Sequence, residues 1–127
     1  MKRIIAAFVL ILISIAVGIT QISLVNCTAD RTINNLNRIE KLVKSNKVRR
    51  AEKLAEKTAK DFESFSSTYL YCFYRHDDLS VISDSIYSLE DYLDDKRIED
   101  FHEKCHYAKK QLLSIKEKEL INLQNIL

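Results

Sequence analysis

Residues 48–72 read VRRAEKLAEKTAKDFESFSSTYLYC, and within them Val48, Ala51, Ala55, Thr58, Phe62, Phe65, Tyr69 and Cys72 recur in alternating steps of three and four. That spacing is close to the α-helical turn, so these side chains form one stripe along a single long helix. Arg, Lys, Glu and Asp fill most of the positions between them, as on the solvated face of an amphipathic helix. The stripe is small at its start and aromatic at its end.

The same spacing recurs on both sides of this run. Downstream, Leu79, Ile82, Ile86, Leu89 and Leu93 form a shorter stripe, and Ile98, Phe101, Cys105, Ala108, Leu112 and Ile115 form another. Upstream, Leu36, Ile39 and Val43 mark an earlier helix. The reading is therefore four helices over Thr28 to Ser45, Lys47 to Arg75, Asp78 to Asp94, and Lys96 to about Leu123. Asp77 or Asp78 is expected to cap the third, and Asp95 the fourth. Proline is absent and Gly18 is the only glycine, so turns, bulges and phosphate loops that need positive φ have little to be made from. The short polar connections near Asn46, Asp77 and Asp95 favour antiparallel neighbours and an up-down bundle. Stacked helix pairs of the tetratricopeptide kind are the alternative, but no self-similar period supports them.

From Ile4 to Val25 there are 22 positions without a charged residue, which span about 33 Å as a helix, enough to cross a bilayer. Lys2 and Arg3 precede the run with no acidic residue, so the positive-inside rule puts the start of the chain in the cytoplasm and the rest outside. Arg31, Arg38 and Lys41 on the far side compete with that assignment. Two other readings use the same segment. One is a cleaved signal peptide ending at Ala16-Val17-Gly18, although the apolar character continues beyond that point. The other is a lipoprotein signal ending at Leu24-Val25-Asn26-Cys27, where Asn26 is a poor fit to the small residue expected before the cysteine. The expected fold class is thus all-α, an N-terminal transmembrane helix followed by an antiparallel bundle of about four helices. Residues 1–26 form the cytoplasmic tip and anchor, and residues 27–127 form an extracytoplasmic helical domain.

Net charge is +2, so overall charge gives no attraction to nucleic acid, and no nucleic-acid partner is expected. Charges nevertheless sort along the chain. Nine basic residues lie between Arg38 and Lys60 against Glu40, Glu52 and Glu56, and ten acidic residues lie between Asp77 and Glu103 against Lys96 and Arg97. In an up-down bundle these clusters become neighbours. Arg49 and Arg50 would stand about 27 Å above the bilayer, beyond a Debye length of about 8 Å, which argues against lipid headgroups as their target. A solvated face partly neutralised by the acidic helix accounts for them.

Catalytic machinery is not recognisable: there is no glycine-rich phosphate loop, nucleophile elbow, paired CxxC or HExxH. No catalytic or cofactor-binding residue is assigned, no cofactor is expected, and the chain reads as a non-enzyme. The nearest approach to a metal site is His102 and His106 around Cys105, since histidines at i and i+4 can reach one ion from one helix face. Cys105 belongs to the apolar stripe, and further ligands would have to come from Asp84 or Glu56 on other helices, so His102 and His106 are weak candidates only. His76 before Asp77 and Asp78 could be a general-base pair, but reads better as a helix-end histidine beside the next cap. Tyr69, Tyr71, Phe73 and Tyr74 could line a pocket, although an aromatic stripe at helical spacing is more often core. The odd count of three cysteines gives no disulfide framework. Cys72 and Cys105 fall at different heights in the bundle and are expected as buried thiols, with Cys27 accessible. The terminal Leu120, Ile121, Leu123, Ile126 and Leu127 return to the membrane-proximal end and are expected to pack over Phe62, Phe65, Tyr69 and Phe73.

The apolar N-terminal segment, the His76-Asp77-Asp78-Leu79 step, the helix ending near Tyr92-Leu93 and the terminal Asn122-Leu123-Gln124-Asn125-Ile126-Leu127 together resemble a family of small single-pass membrane proteins from Gram-positive bacteria, domain of unknown function 4363. The resemblance covers nearly the whole chain. It implies a membrane-anchored helical domain and carries no activity to transfer. The functional expectation is a single-pass protein of the cell membrane, anchored by its N-terminal helix, whose extracytoplasmic domain is an interaction or structural module docking another envelope protein. The alternatives are a small-ligand or signal-sensing domain, which would have to act through a partner because only Met1 to Arg3 precede the anchor, or a weak metal-binding protein.

Overall fold

The computed structural model describes residues 1–67 and 76–126. These form four helices: α1 (Lys2–Lys44), α2 (Val48–Phe65), α3 (His76–Asp94) and α4 (Ile98–Ile126). Strands are absent among the described residues. Helix α1 packs on α2 and α4, and α3 packs on the same two, so the four close into a ring. Lys109 and Lys116 of α4 meet Glu40 and Asp30 of α1 in reverse order along the chain, which makes α1 and α4 antiparallel. The closure of α4 onto α1 is that of an up-down bundle rather than of stacked pairs.

The expected break between anchor and first bundle helix does not exist. Helix α1 runs unbroken for 43 residues, about 65 Å. Nothing between Val25 and Thr28 interrupts a helix: no proline is present, and Thr32 returns its hydroxyl to the Thr28 carbonyl at 2.8 Å. What changes there is the surroundings of the helix. Before Gly18 every residue is exposed, while Val25, Ala29, Thr32, Leu36, Ile39 and Val43 are buried in alternating steps of four and three.

Most of the stripes read from the sequence form the core. Leu36, Ile39, Leu79, Ile82, Ile86, Leu89, Leu93, Phe101, Cys105 and Leu112 are almost completely buried, and each Leu or Ile so removed from water contributes on the order of 2 kcal/mol before entropy is set against it. Ile98, expected at the head of the last stripe, is exposed at the start of α4. Ala51, Ala55 and Ala59 supply the buried face of α2 with Thr58 and Phe62, and their small size lets the backbone of α2 approach its neighbours closely. The final described turn of α2 widens into a π-turn at Ser66 and Ser67, so the long helix to Arg75 is seen only this far. Tyr69, Cys72 and Phe73 lie outside the described residues, as do Tyr71 and Tyr74.

The caps also depart from expectation. Helix α3 already includes His76, which puts Asp77 and Asp78 inside its first described turn instead of at the cap. Asp95 closes α3, its amide donating to the Asp91 carbonyl at 3.0 Å, and does not cap α4. Both tight turns at the other end of the bundle use positive φ without glycine: Asn46 at 59° and Lys96 at 57°. In each, the left-handed residue bonds back to the carbonyl three before it and the next amide to the carbonyl five before it. The bonds are Asn46 to Val43 and Lys47 to Leu42 in one turn, Lys96 to Leu93 and Arg97 to Tyr92 in the other. These are Schellman closures, which satisfy carbonyls left free at a helix end.

Candidate functional site

Among the described residues, polar side chains meet between helices along two seams. Along α1 and α4, the Lys116 ammonium bonds Asp30 at 2.5 Å, and the Lys109 ammonium reaches both Asn37 and Glu40 at 3.0 Å. Asp30 and Asn37 are seven residues apart, as are Lys109 and Lys116, so each pair flanks its own apolar stripe at a two-turn repeat. Beside this seam lies the fully buried Cys105. Burial, reinforced by the charge of Glu40, pushes its thiol up to about 12. A thiol held protonated in this way is a poor nucleophile and a poor metal ligand.

The second seam joins α2 to α3. The Tyr87 hydroxyl donates to Glu63 at 2.5 Å, and this bond raises the phenol above its ordinary range. Lys60 and Glu56 pair at 2.6 Å across one turn of α2, on an exposed face where such pairs contribute little. Glu90 is raised above its usual value, first by desolvation and then by the negative charges of Glu56, Asp91 and Glu52, with Lys60 acting in the opposite sense. Helices α2 and α3 do pack together, but the cross-helix contacts at this seam are a tyrosine–carboxylate bond and neighbouring carboxylates, with Lys60 the basic group acting on Glu90.

Around the metal candidates no third ligand gathers among the described residues. His102 is half-buried with its ring edge-on to Phe101 at 5.3 Å between centroids, and His106 is exposed. Asp84 is exposed and Glu56 is engaged by Lys60, and among the described residues no three His, Cys, Asp or Glu side chains converge. The side chains of His76, Asp77 and Asp78 lie outside the described set. Buried hydroxyls are consumed by the backbone: Thr32, Thr58, Ser66 and Ser85 each donate to a carbonyl three or four residues earlier. No buried side-chain nitrogen or oxygen among the described residues is left without a partner. The seams therefore fix helix order and register.

The remaining distinctive surface is the first half of α1, where Ile4, Ile5, Phe8, Leu10 and Ile19 are all more than half exposed. By length and composition α1 can cross a membrane, although a signal sequence has the same properties. A family model for a domain of unknown function, DUF4363, matches residues 19–126. The chain belongs to the DUF4363 family. The DUF4363 match begins at Ile19, inside the unbroken α1 and six residues before Val25, its first buried position, and so takes in the bundle. No curated protein and no solved structure matches the chain.

The interhelical pairs Asp30–Lys116 and Glu40–Lys109 were not legible beforehand, because a pairing partner is fixed only by topology. The seven-residue repeat of polar groups beside each stripe was the available signal. Cys105 and Cys27 are where the sequence put them, buried and exposed respectively, and Cys72 lies outside the described residues.

Proposed function

We propose that this DUF4363 protein is a non-enzymatic module tethered in a cytoplasmic membrane by the first half of α1. Residues 27–127 stand on the outer side, where the exposed faces of the bundle dock another envelope protein. One observation carries the reading: α1 is a single helix in which every residue before Gly18 is exposed and whose second half is a wall of the bundle. An apolar helix face of that size is stable in a bilayer and costly in water. A continuous helix also holds the bundle at a fixed height and attitude, as a docking platform requires. Lys2 and Arg3 before the apolar run support the outward orientation. In support of docking rather than catalysis, the polar groups of both seams are engaged with one another.

The test is site-specific photo-crosslinking in intact cells, with the reactive residue placed in turn at the exposed positions Arg50, Lys57, Asp84 and Lys110. A discrete adduct at one face, lost when charges on that face are reversed, is the expected result. Failure of all positions to yield a protein adduct would overturn the docking role.

A further inference from the structure

The end of α4 was expected to fold over the aromatic residues of α2, yet Leu120 and Ile121 are exposed by 55% and 54%, and the side chains of Leu123, Ile126 and Leu127 lie outside the described set. Their height in the bundle is set by the α1–α4 seam. Lys116 stands opposite Asp30 and the helices are antiparallel, so Leu120 and Ile121 lie level with about Asn26 and Val25, and Ile126 with about Thr20. That is where the charge-free run of α1, Ile4 to Val25, comes to its end. Helix α4 changes character at the same level: Glu119 is its last charged residue, and positions 120–127 carry none. Two antiparallel helices thus lose their charges at one height.

We infer that the C-terminal end of α4 is a second membrane contact, seated in the headgroup layer beside α1 with Leu120 and Ile121 against the acyl boundary. The inference rests on the membrane-tethered reading of α1. The depth follows from lengths. The run from Ile4 to Val25 is about 33 Å long and the hydrocarbon about 30 Å thick, which leaves the level of Val25 and Asn26 at the boundary and Thr20 about 7 Å inside. An amphipathic segment binds at this depth, with apolar side chains inward and polar ones in the headgroups. Gln124 and Asn125 are exposed on the same turns.

The chain has no tryptophan, so single reporters can be introduced without background. Full-length protein carrying Phe8→Trp, Leu113→Trp, Leu120→Trp or Ile121→Trp is reconstituted in vesicles of phosphatidylcholine and phosphatidylglycerol, with acyl chains brominated or not. The expected result is strong bromine quenching with a blue-shifted emission at positions 8, 120 and 121, and neither effect at 113, which is exposed about 10 Å farther from the boundary. Quenching at 8 without quenching at 120 and 121 would overturn the inference and leave the anchor standing. Blue-shifted but unquenched emission at 120 and 121 would assign this face to a protein neighbour and equally overturn it. Quenching at all four positions, as from a bundle lying flat on lipid, contradicts it as well. No quenching at position 8 would overturn the anchor itself, and the inference with it.

Discussion

From Ile4 to Ile19 the apolar side chains of α1 point outward on every side, whereas from Val25 to Val43 the buried residues form one narrow stripe against α2 and α4. The backbone is the same helix throughout. The difference teaches that polarity pattern reports the solvent around a helix, and that a change of pattern is no evidence of a break in the chain. Apolar on all sides is the signature of a helix in lipid, and an apolar stripe is that of a helix on a core. Moving between them requires only that the backbone hydrogen bonds continue.

Substitution in the two halves separates them most sharply. Leu36 is fully buried, and Leu36→Ala should destabilise the bundle by about 2–5 kcal/mol through lost transfer free energy and a residual cavity. Leu12→Ala, in the exposed half, should leave the same unfolding transition in place. Chemical denaturation of the full chain in lipid nanodiscs, followed by circular dichroism, checks both. Equal destabilisation by the two variants would break the distinction.

A smaller effect is expected at Glu90, far from the membrane-proximal half. Its folded-state pKa is raised above the ordinary 4.5, first by desolvation and then by its acidic neighbours. The folded state therefore holds its proton to higher pH than the unfolded chain, and stability falls as pH rises from about 4.5 through the folded value. Glu90→Gln should remove that decline and melt higher than the wild type at pH 7, while membrane retention is unchanged. Thermal melts between pH 4 and 8 test the sign, and a lower melting temperature at pH 7 would contradict it.

The smallest expected effect distinguishes the two tight turns. Lys96 holds a left-handed conformation at φ 57°, which costs a residue with a Cβ about 1 kcal/mol or more. Lys96→Gly should stabilise the bundle by up to about 1 kcal/mol. Asn46→Gly should gain less, because asparagine tolerates this region. A gain at Asn46 larger than that at Lys96 would mean that the closures differ in more than backbone strain.

These turns also show where sequence reading stops. Leu79, Ile82, Ile86, Leu89 and Leu93 were legible because helical spacing and burial are the same fact seen twice. The closures at Asn46 and Lys96 were not, since scarcity of glycine argued against positive φ and only the hydrogen bonds of the helix ends reveal it. The boundary at Thr28 was placed by polarity alone. Had the stripe of Leu36, Ile39 and Val43 been followed upstream in the same steps, Thr32, Ala29 and Val25 would have joined it and carried α1 into the apolar run. The polar seams lay beyond reach because Asp30 and Lys116 are 86 residues apart, and nothing local pairs them. Leu120 and Ile121 were misplaced because apolar residues at the end of a bundle were assigned to protein core, whereas both are exposed.

The central claim is that the first half of α1 is held in a membrane and the bundle stands outside it. The most direct measurement is protease accessibility in intact protoplasts expressing the full chain, at a protease concentration that digests the domain in lysed cells. The expected result is digestion from about Thr28 onward before lysis, with an apolar fragment of α1 left in the membrane pellet. Complete protection until lysis, or a chain recovered in soluble form without its first residues, would contradict it.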